Sequence, residues 1–225
     1  MRELLATLTG FPWNLSSITA SRPAASLLAL ACLALASCTA NYKKLTLNPG
    51  QQRNYIIRLD SFRENKDFFF KSNPSSPLTN QQRGQFYHLN YYPPNFNLIF
   101  RVKLIRESKP EQVGIQATGG ETRPAIKYGK FDFEIDGKKL TLYVYKMIGD
   151  RENELFLPFI DKTCGSTSYA GGRYIDLREN DTGEYTLDFN YAYNPYCAYN
   201  HDFSCPIVPA DNYLDVKIDA GEMKY

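Results

Sequence analysis

Residues 131–144 read FDFEIDGKKLTLYV. Phe131, Phe133 and Ile135 alternate with Asp132 and Glu134 on the way in, and Leu140, Leu142 and Val144 alternate with Thr141 and Tyr143 on the way out. A period of two sends successive side chains to opposite faces of a strand, so each arm has one buried and one wet face. Between the arms, Asp136-Gly137 supplies the positive backbone angles of a tight turn. The stretch is a β-hairpin, and it sets the expectation of antiparallel β structure for the chain around it.

Working outward, the same alternation recurs in Phe96, Leu98, Phe100, Val102 and Leu104, with Asn97, Arg101 and Lys103 between them. Pro93-Pro94-Asn95 links this strand to an expected one over Phe86–Tyr92, and Val113 with Ile115 marks a short strand closed by Thr118-Gly119-Gly120. Downstream, Leu155–Phe159 is another short strand, and Leu214, Val216 and Ile218 alternate in an expected closing strand over Tyr213–Asp219. Arg173–Arg178 and Glu184–Asn190 flank the turn-forming residues Glu179–Gly183, which predicts a second hairpin. With Arg178 opposite Glu184, Ile175 meets Leu187 and Leu177 meets Tyr185 on the core face. Tyr174, Asp176, Asp188 and Asn190 then share the polar face, and Arg173 falls on the apolar one. A buried arginine needs an acceptor, and Asp161 or Glu222 is the candidate.

One segment has the helical period instead. Tyr55, Ile56, Leu59, Phe62 and Phe69 recur at helical spacings with charged residues between them, and Pro74 and Pro77 stop the pattern. The expected fold is mainly β: an antiparallel β-sandwich or barrel of about nine strands carrying one N-terminal amphipathic helix, as a single domain over residues 53–225.

The N-terminus reads as an address. Arg22 precedes an apolar Ala/Leu run, from Pro23 to Ser37, too short for a comfortable membrane span. The run ends in Leu35-Ala36-Ser37-Cys38, which resembles the lipobox of bacterial lipoprotein signals, where the cysteine is acylated and becomes the first residue after cleavage. Residues 1–37 are therefore expected to be a signal peptide, Cys38 the lipidation site, and 38–52 a tether. The protein is expected on the bacterial cell envelope, facing the periplasm or exterior, with the membrane as its partner through Cys38.

A formal charge of +2 with acidic and basic residues interleaved, as in RLDSFRENKD, lacks the one-signed field that holds a phosphate backbone, which argues against nucleic acid as a partner. The sequence has no glycine-rich phosphate loop, no serine nucleophile elbow and no His-Glu-x-x-His helix, and no cofactor is expected.

Several blocks occur in order: Phe159-x-Asp161-x-Thr163-x-Gly165, Tyr169-x-x-Gly172-Arg173-Tyr174, Asp188-Phe189-Asn190-x-Ala192-Tyr193-Asn194-Pro195-x-Cys197-Ala198-Tyr199, Cys205-Pro206, Asn212 and Ala220-Gly221-Glu222. Together with Ser76-Pro77-Leu78 and Phe86–Pro93 they resemble the family catalogued as domain of unknown function 1684, over about Gln52 to Tyr225. The resemblance implies no settled activity. Cys164 stands where the family more usually has a small hydroxyl or amide residue, and Ile207-Val208 where a Leu-Pro-Pro run is common.

Three constellations in this last third carry chemistry. Cys197 and Cys205 are disulfide candidates outside the cytoplasm. With His201 they are alternatively part of a zinc set completed by Cys164 or Asp202, and Cys197 with His201 alone is a nucleophile pair. Asp161, Asp188 and Glu222 are carboxylates for acid and base work, with Asp161 and Asp188 as the pair for a hydrolase acting on an envelope saccharide or ester. The alternative is that they hold loops and neutralise Arg173. Tyr169, Tyr174, Tyr191, Tyr193, Tyr196 and Tyr199, beside Asn190 and Asn194, are what a saccharide, peptide or other small-molecule cleft presents, or are ordinary half-buried sheet residues. The candidate site is thus Asp161, Arg173, Asp188, Asn190 and Asn194. The expected function is that of a lipoprotein of unknown biochemical activity working as a ligand-binding or structural module.

Overall fold

The computed structural model describes residues 41–149 and 153–225. The expected signal peptide, the lipidation site Cys38 and the start of the tether lie outside the described residues. Two sheets and two helices make up the domain. The smaller sheet has the order β1-β2-β8, with β1 at Tyr42–Lys44, β2 at Ile99–Lys103 and β8 at Glu184–Asp188. The larger sheet runs β3 (Ile105–Gln116), β4 (Thr122–Ile135), β5 (Lys138–Met147), β6 (Glu154–Asp161) and β7 (Arg173–Arg178), and β9 (Tyr213–Leu214) adds to β6. Every pairing is antiparallel except the one between β6 and β9. The fold is mainly β, and it is not a closed barrel.

The β4–β5 hairpin has the register that its alternation demands: Phe131 faces Leu142 and Phe133 faces Leu140, with positive φ at both Asp136 and Gly137. These side chains meet those of the smaller sheet in one core. Phe100 of β2 lies 5.5 Å from Phe133, ring to ring, and Leu155, Leu157, Leu187 and Phe189 are wholly enclosed beside them.

Arg173–Arg178 and Glu184–Asp188 do not form a hairpin. Arg178 pairs with Glu154 and Ile175 with Leu157 in the larger sheet, whereas Tyr185 pairs with Val102 and Leu187 with Phe100 in the smaller one. The intervening turn is a corner. Asn180 Oδ1 accepts from the backbone of Thr182 and Gly183, which bends the chain from one sheet to the other. Both strands still direct the expected residues to the core, because each faces the same interior from its own side. Further strand expectations are revised: the closing strand over Tyr213–Asp219 shrinks to the two residues of β9, and Phe96–Leu98 is a short helical turn ahead of β2. Phe86–Tyr92 forms no strand beyond a single bridge from Tyr91 to Glu222, and β3 is much longer than the Val113–Ile115 segment.

Helix α1 spans Pro49–Ser72 and α2 spans Asn80–Gln85. Asn48 caps α1 through a reciprocal pair of bonds with Gln51, and Thr79 caps α2 with Gln82 in the same way. α1 buries Tyr55, Leu59 and Phe70, while Ile57 and Phe68 remain exposed. No helix among the described residues is long and apolar enough to cross a membrane.

Candidate functional site

The polar residues singled out from sequence sit in three separate interior networks. Arg173, at the start of β7, is completely enclosed. Its Nη2 donates to Asp161 Oδ1 (3.0 Å), Thr163 Oγ1 (3.4 Å) and Ile218 O (2.9 Å), and Nη1 donates to Glu222 O (3.1 Å) and Ala220 O. Asp161 takes further donors from Thr163 N and Ile218 N on Oδ2 and from Thr163 Oγ1 on Oδ1. The planar guanidinium matches this fixed array of acceptors, which is why an arginine serves here. Glu222 contributes a backbone carbonyl to the network, and its carboxylate goes elsewhere.

That carboxylate, 1% exposed, accepts from Lys66 of α1, Asn194 N (2.8 Å) and Tyr199 OH, while Asn194 Nδ2 donates to Met223 O (2.8 Å). The third network ties α1 to β8. Tyr55 OH donates to Asp188 Oδ2 (2.9 Å), and Oδ1 takes Asn190 N (3.0 Å) and Asn190 Nδ2 (2.9 Å). Burial raises the Asp188 pKa above its ordinary range, and the bonds from Asn190 and Tyr55 oppose that rise.

All five candidate site residues are buried. Asp188 borders a depression of about 390 Å³ with Tyr55, Arg58 and Tyr191 on its wall. Asp161 and Asp188 belong to different networks, and both are bonded to the domain's own donors. Glycoside hydrolysis by a carboxylate pair needs both groups at one scissile bond, and these two lie apart, each bonded to its own set of donors.

Cys197 and Cys205 are both buried free thiols in the structure, and the disulfide expected between them is not formed. They are adjacent: Cys197 N donates to Cys205 Sγ at 3.2 Å. The zinc alternative is corrected. His201 is exposed on a turn while both thiols are buried, and no group of three metal-ligating side chains converges among the described residues. The Cys197 sulfur has Tyr169 and Cys205 as its neighbours, and no bond from it to His201 is seen among the described residues.

The tyrosine belt splits. Tyr199 packs against Phe70 in a second apolar cluster, Tyr191 faces α1, and Tyr169 lies with its hydroxyl 3.8 Å from Cys197 Sγ. Tyr174, Tyr193 and Tyr196 line an open cleft of about 470 Å³. Tyr174 stands edge-on to Tyr193 with centroids 5.8 Å apart, and Tyr196 stands edge-on to Phe203 at 5.3 Å. Tyr193 OH donates to Asp176 Oδ2 (2.6 Å) and Tyr174 OH to Pro206 O, so each ring is fixed by its polar end and presents carbon to the cleft.

Lys66 and Arg123 provide the cations. Lys66 Nζ lies 4.8 Å from the Tyr193 ring centroid, and Arg123 Nη2 donates to Ser204 O at 2.8 Å. A smaller depression of about 310 Å³ shares Arg123, Tyr174, Asp176, Tyr193 and Pro206, which extends the cleft along the sheet. Sequence reasoning identified the three tyrosines and missed Lys66, Arg123 and Phe203. The available signal was the cluster Phe203-Ser204-Cys205-Pro206, an apolar and small-residue run inside an otherwise polar loop.

The fold and cleft define a two-sheet, mainly-β domain with a helix packed on it and an aromatic-walled depression. The chain belongs to the family described as protein of unknown function, DUF1684, whose profile matches residues 84–223. It is similar to the solution NMR structure of an uncharacterized protein from gene locus rrnAC0354 of Haloarcula marismortui, with 34% identity, a TM-score of 0.61, and coverage of 77% of this chain and 96% of that one. No curated protein matches the chain.

Proposed function

We propose that the chain is a bacterial cell-envelope lipoprotein, anchored through a lipid on Cys38, whose domain binds a small saccharide or peptide in the aromatic cleft. The observation that carries the binding role is the fixed array of Tyr174, Tyr193, Tyr196 and Phe203 beside Lys66 and Arg123 in one open depression. The Tyr174 and Tyr193 rings, held by their hydroxyls, lose little freedom when a sugar or side chain stacks on them, and the flanking charges orient its polar groups. The lipobox at Leu35–Cys38 supports the anchor.

The test is a titration of the isotopically labelled protein with an N-acetylglucosamine oligomer and, separately, with a short aromatic peptide. Saturable shifts confined to the backbone amides around Tyr193, Tyr196 and Phe203, and lost in Phe203→Ala, are the expected result. Scattered or unsaturable shifts with both probes would sink the binding role.

A further inference from the structure

Cys205 lines the aromatic cleft, and Cys197 lies directly behind it with its backbone N–H on the Cys205 sulfur. The two sides of the pair belong to different parts of the fold. Cys197 sits in the short helical turn Tyr196–Ala198. Cys205 is clamped to the β3–β4 turn, where its N–H donates to Thr118 Oγ1 (3.0 Å) and its carbonyl accepts from Thr118 N (2.9 Å). The neighbours Phe203 and Ser204 form the cleft wall itself.

We infer that Cys197 and Cys205 are a reversible thiol–disulfide couple, which a low-molecular-weight disulfide entering the cleft oxidises, fixing the wall of the cleft in one position.

The donors around the sulfurs favour thiolate chemistry. The bond from the Cys205 thiol lowers the Cys197 pKa to about 6, with Tyr169 OH assisting, and the same coupling pushes the Cys205 pKa up. Cys205, at the cleft, attacks the incoming disulfide while its proton passes to the Cys197 sulfur. A mixed disulfide forms and one small thiolate leaves. Cys197 then attacks the Cys205 sulfur, forming the internal bond and expelling the second thiolate. The single proton of the pair ends on one of the two released sulfurs, the other leaves as a thiolate, and two electrons pass from the pair to the incoming disulfide. Cys164 takes no part, because it bonds Asp161 and Ser168 in the Arg173 network. The inference rests on the cleft geometry and is independent of which ligand the cleft takes.

The test equilibrates the full chain in glutathione buffers, quenches with acid, alkylates, and locates the bonds by mass spectrometry. The linked Cys197–Cys205 peptide is expected to rise from about a tenth to about nine tenths over an ~80-fold change in the ratio of glutathione disulfide to the square of glutathione, reversibly. Cys164 is expected to stay alkylatable throughout. Cys197→Ser should accumulate glutathione on Cys205, and Cys205→Ser should leave Cys197 unmodified. The inference is overturned if both thiols remain alkylatable at every ratio, if the bond forms and glutathione does not reverse it, or if the two variants are glutathionylated alike. Should either variant fail to fold, the titration of the natural chain still decides.

Discussion

Asp161 and Arg173 form an ion pair at 3.0 Å in which neither side chain has any exposure. The pair joins the end of β6 to the start of β7 and holds the segment 218–222 beneath them. Removing one partner of such a pair leaves an uncompensated charge in the interior, which costs far more than the pair itself contributes. Arg173→Met is therefore expected to lower the unfolding free energy by about 3–5 kcal/mol. Arg173→Lys should restore little of it, because an ammonium cannot reach the same fan of acceptors. Urea denaturation followed by circular dichroism measures both, and an unchanged midpoint in either variant contradicts this account.

The Asp188 carboxyl should titrate above its ordinary 3.8, since burial dominates its environment. Its folded pKa exceeds the unfolded one, so its contribution to stability is present at low pH and is lost as pH rises through the folded midpoint. Tyr55→Phe removes a donor that favours the charged form, and should raise the midpoint further while destabilising the α1 contact by about 1–2 kcal/mol. Carboxyl-detected NMR of the two proteins checks the direction. A fall on substitution would refute the role assigned to the Tyr55 hydroxyl.

Gly221 and Gly183 both have positive φ but differ in surroundings. A Cβ at Gly221 would meet Ala192 O at 2.6 Å and Phe189 O at 2.8 Å, whereas one at Gly183 meets nothing within 4 Å. Gly183→Ala should cost the backbone penalty alone, about 1–2 kcal/mol. Gly221→Ala adds a backbone clash and should cost at least ~2 kcal/mol more. Paired thermal melts compare them, and equal losses would count against the clash.

Lys66 and Arg123 flank the same cleft with unequal structural duties. Lys66 pairs with the enclosed Glu222, whereas the Glu121 partner of Arg123 is itself exposed. Lys66→Met is expected to destabilise by about 3 kcal/mol, and Arg123→Met by less than about 1 kcal/mol. If the cleft binds its ligand through these cations, Arg123→Met weakens binding in a protein of nearly natural stability. Denaturation and titration run in parallel separate the two effects.

For the anchor, Cys38→Ala is expected to move the protein from the membrane to the soluble fraction and to abolish incorporation of labelled fatty acid. Retention on the membrane in that variant would remove the lipidation reading.

Local signals were sufficient wherever strand, turn and partner adjoin in sequence. The β4–β5 hairpin was legible to the register because Asp136-Gly137 allows only one geometry for its arms. The Arg173–Arg178 strand was legible too, but its partner was not. A turn rich in Asn, Asp and Gly closes a hairpin or a corner equally well, and alternation states which face is buried without stating which strand lies alongside. The need of Arg173 for an acceptor followed from its parity, and Asp161 meets it; the carbonyls at residues 218, 220 and 222 carry no signature in sequence. The cleft was half legible. Its tyrosines stood out by density, whereas Lys66 looked like any solvated helix residue until the distant Tyr193 was placed beneath it.

The three backbone carbonyls that complete the enclosure of Arg173 lie 45 to 49 residues further along the chain. During vectorial synthesis, or during threading through a membrane channel, β6 and β7 emerge long before residues 218–222 can cover them. Until then the guanidinium must stay hydrated, so the larger sheet cannot seal its end. Completion of the fold is consequently deferred to the arrival of Ala220-Gly221-Glu222, and a chain stalled before Ile218 is open there to proteases and chaperones.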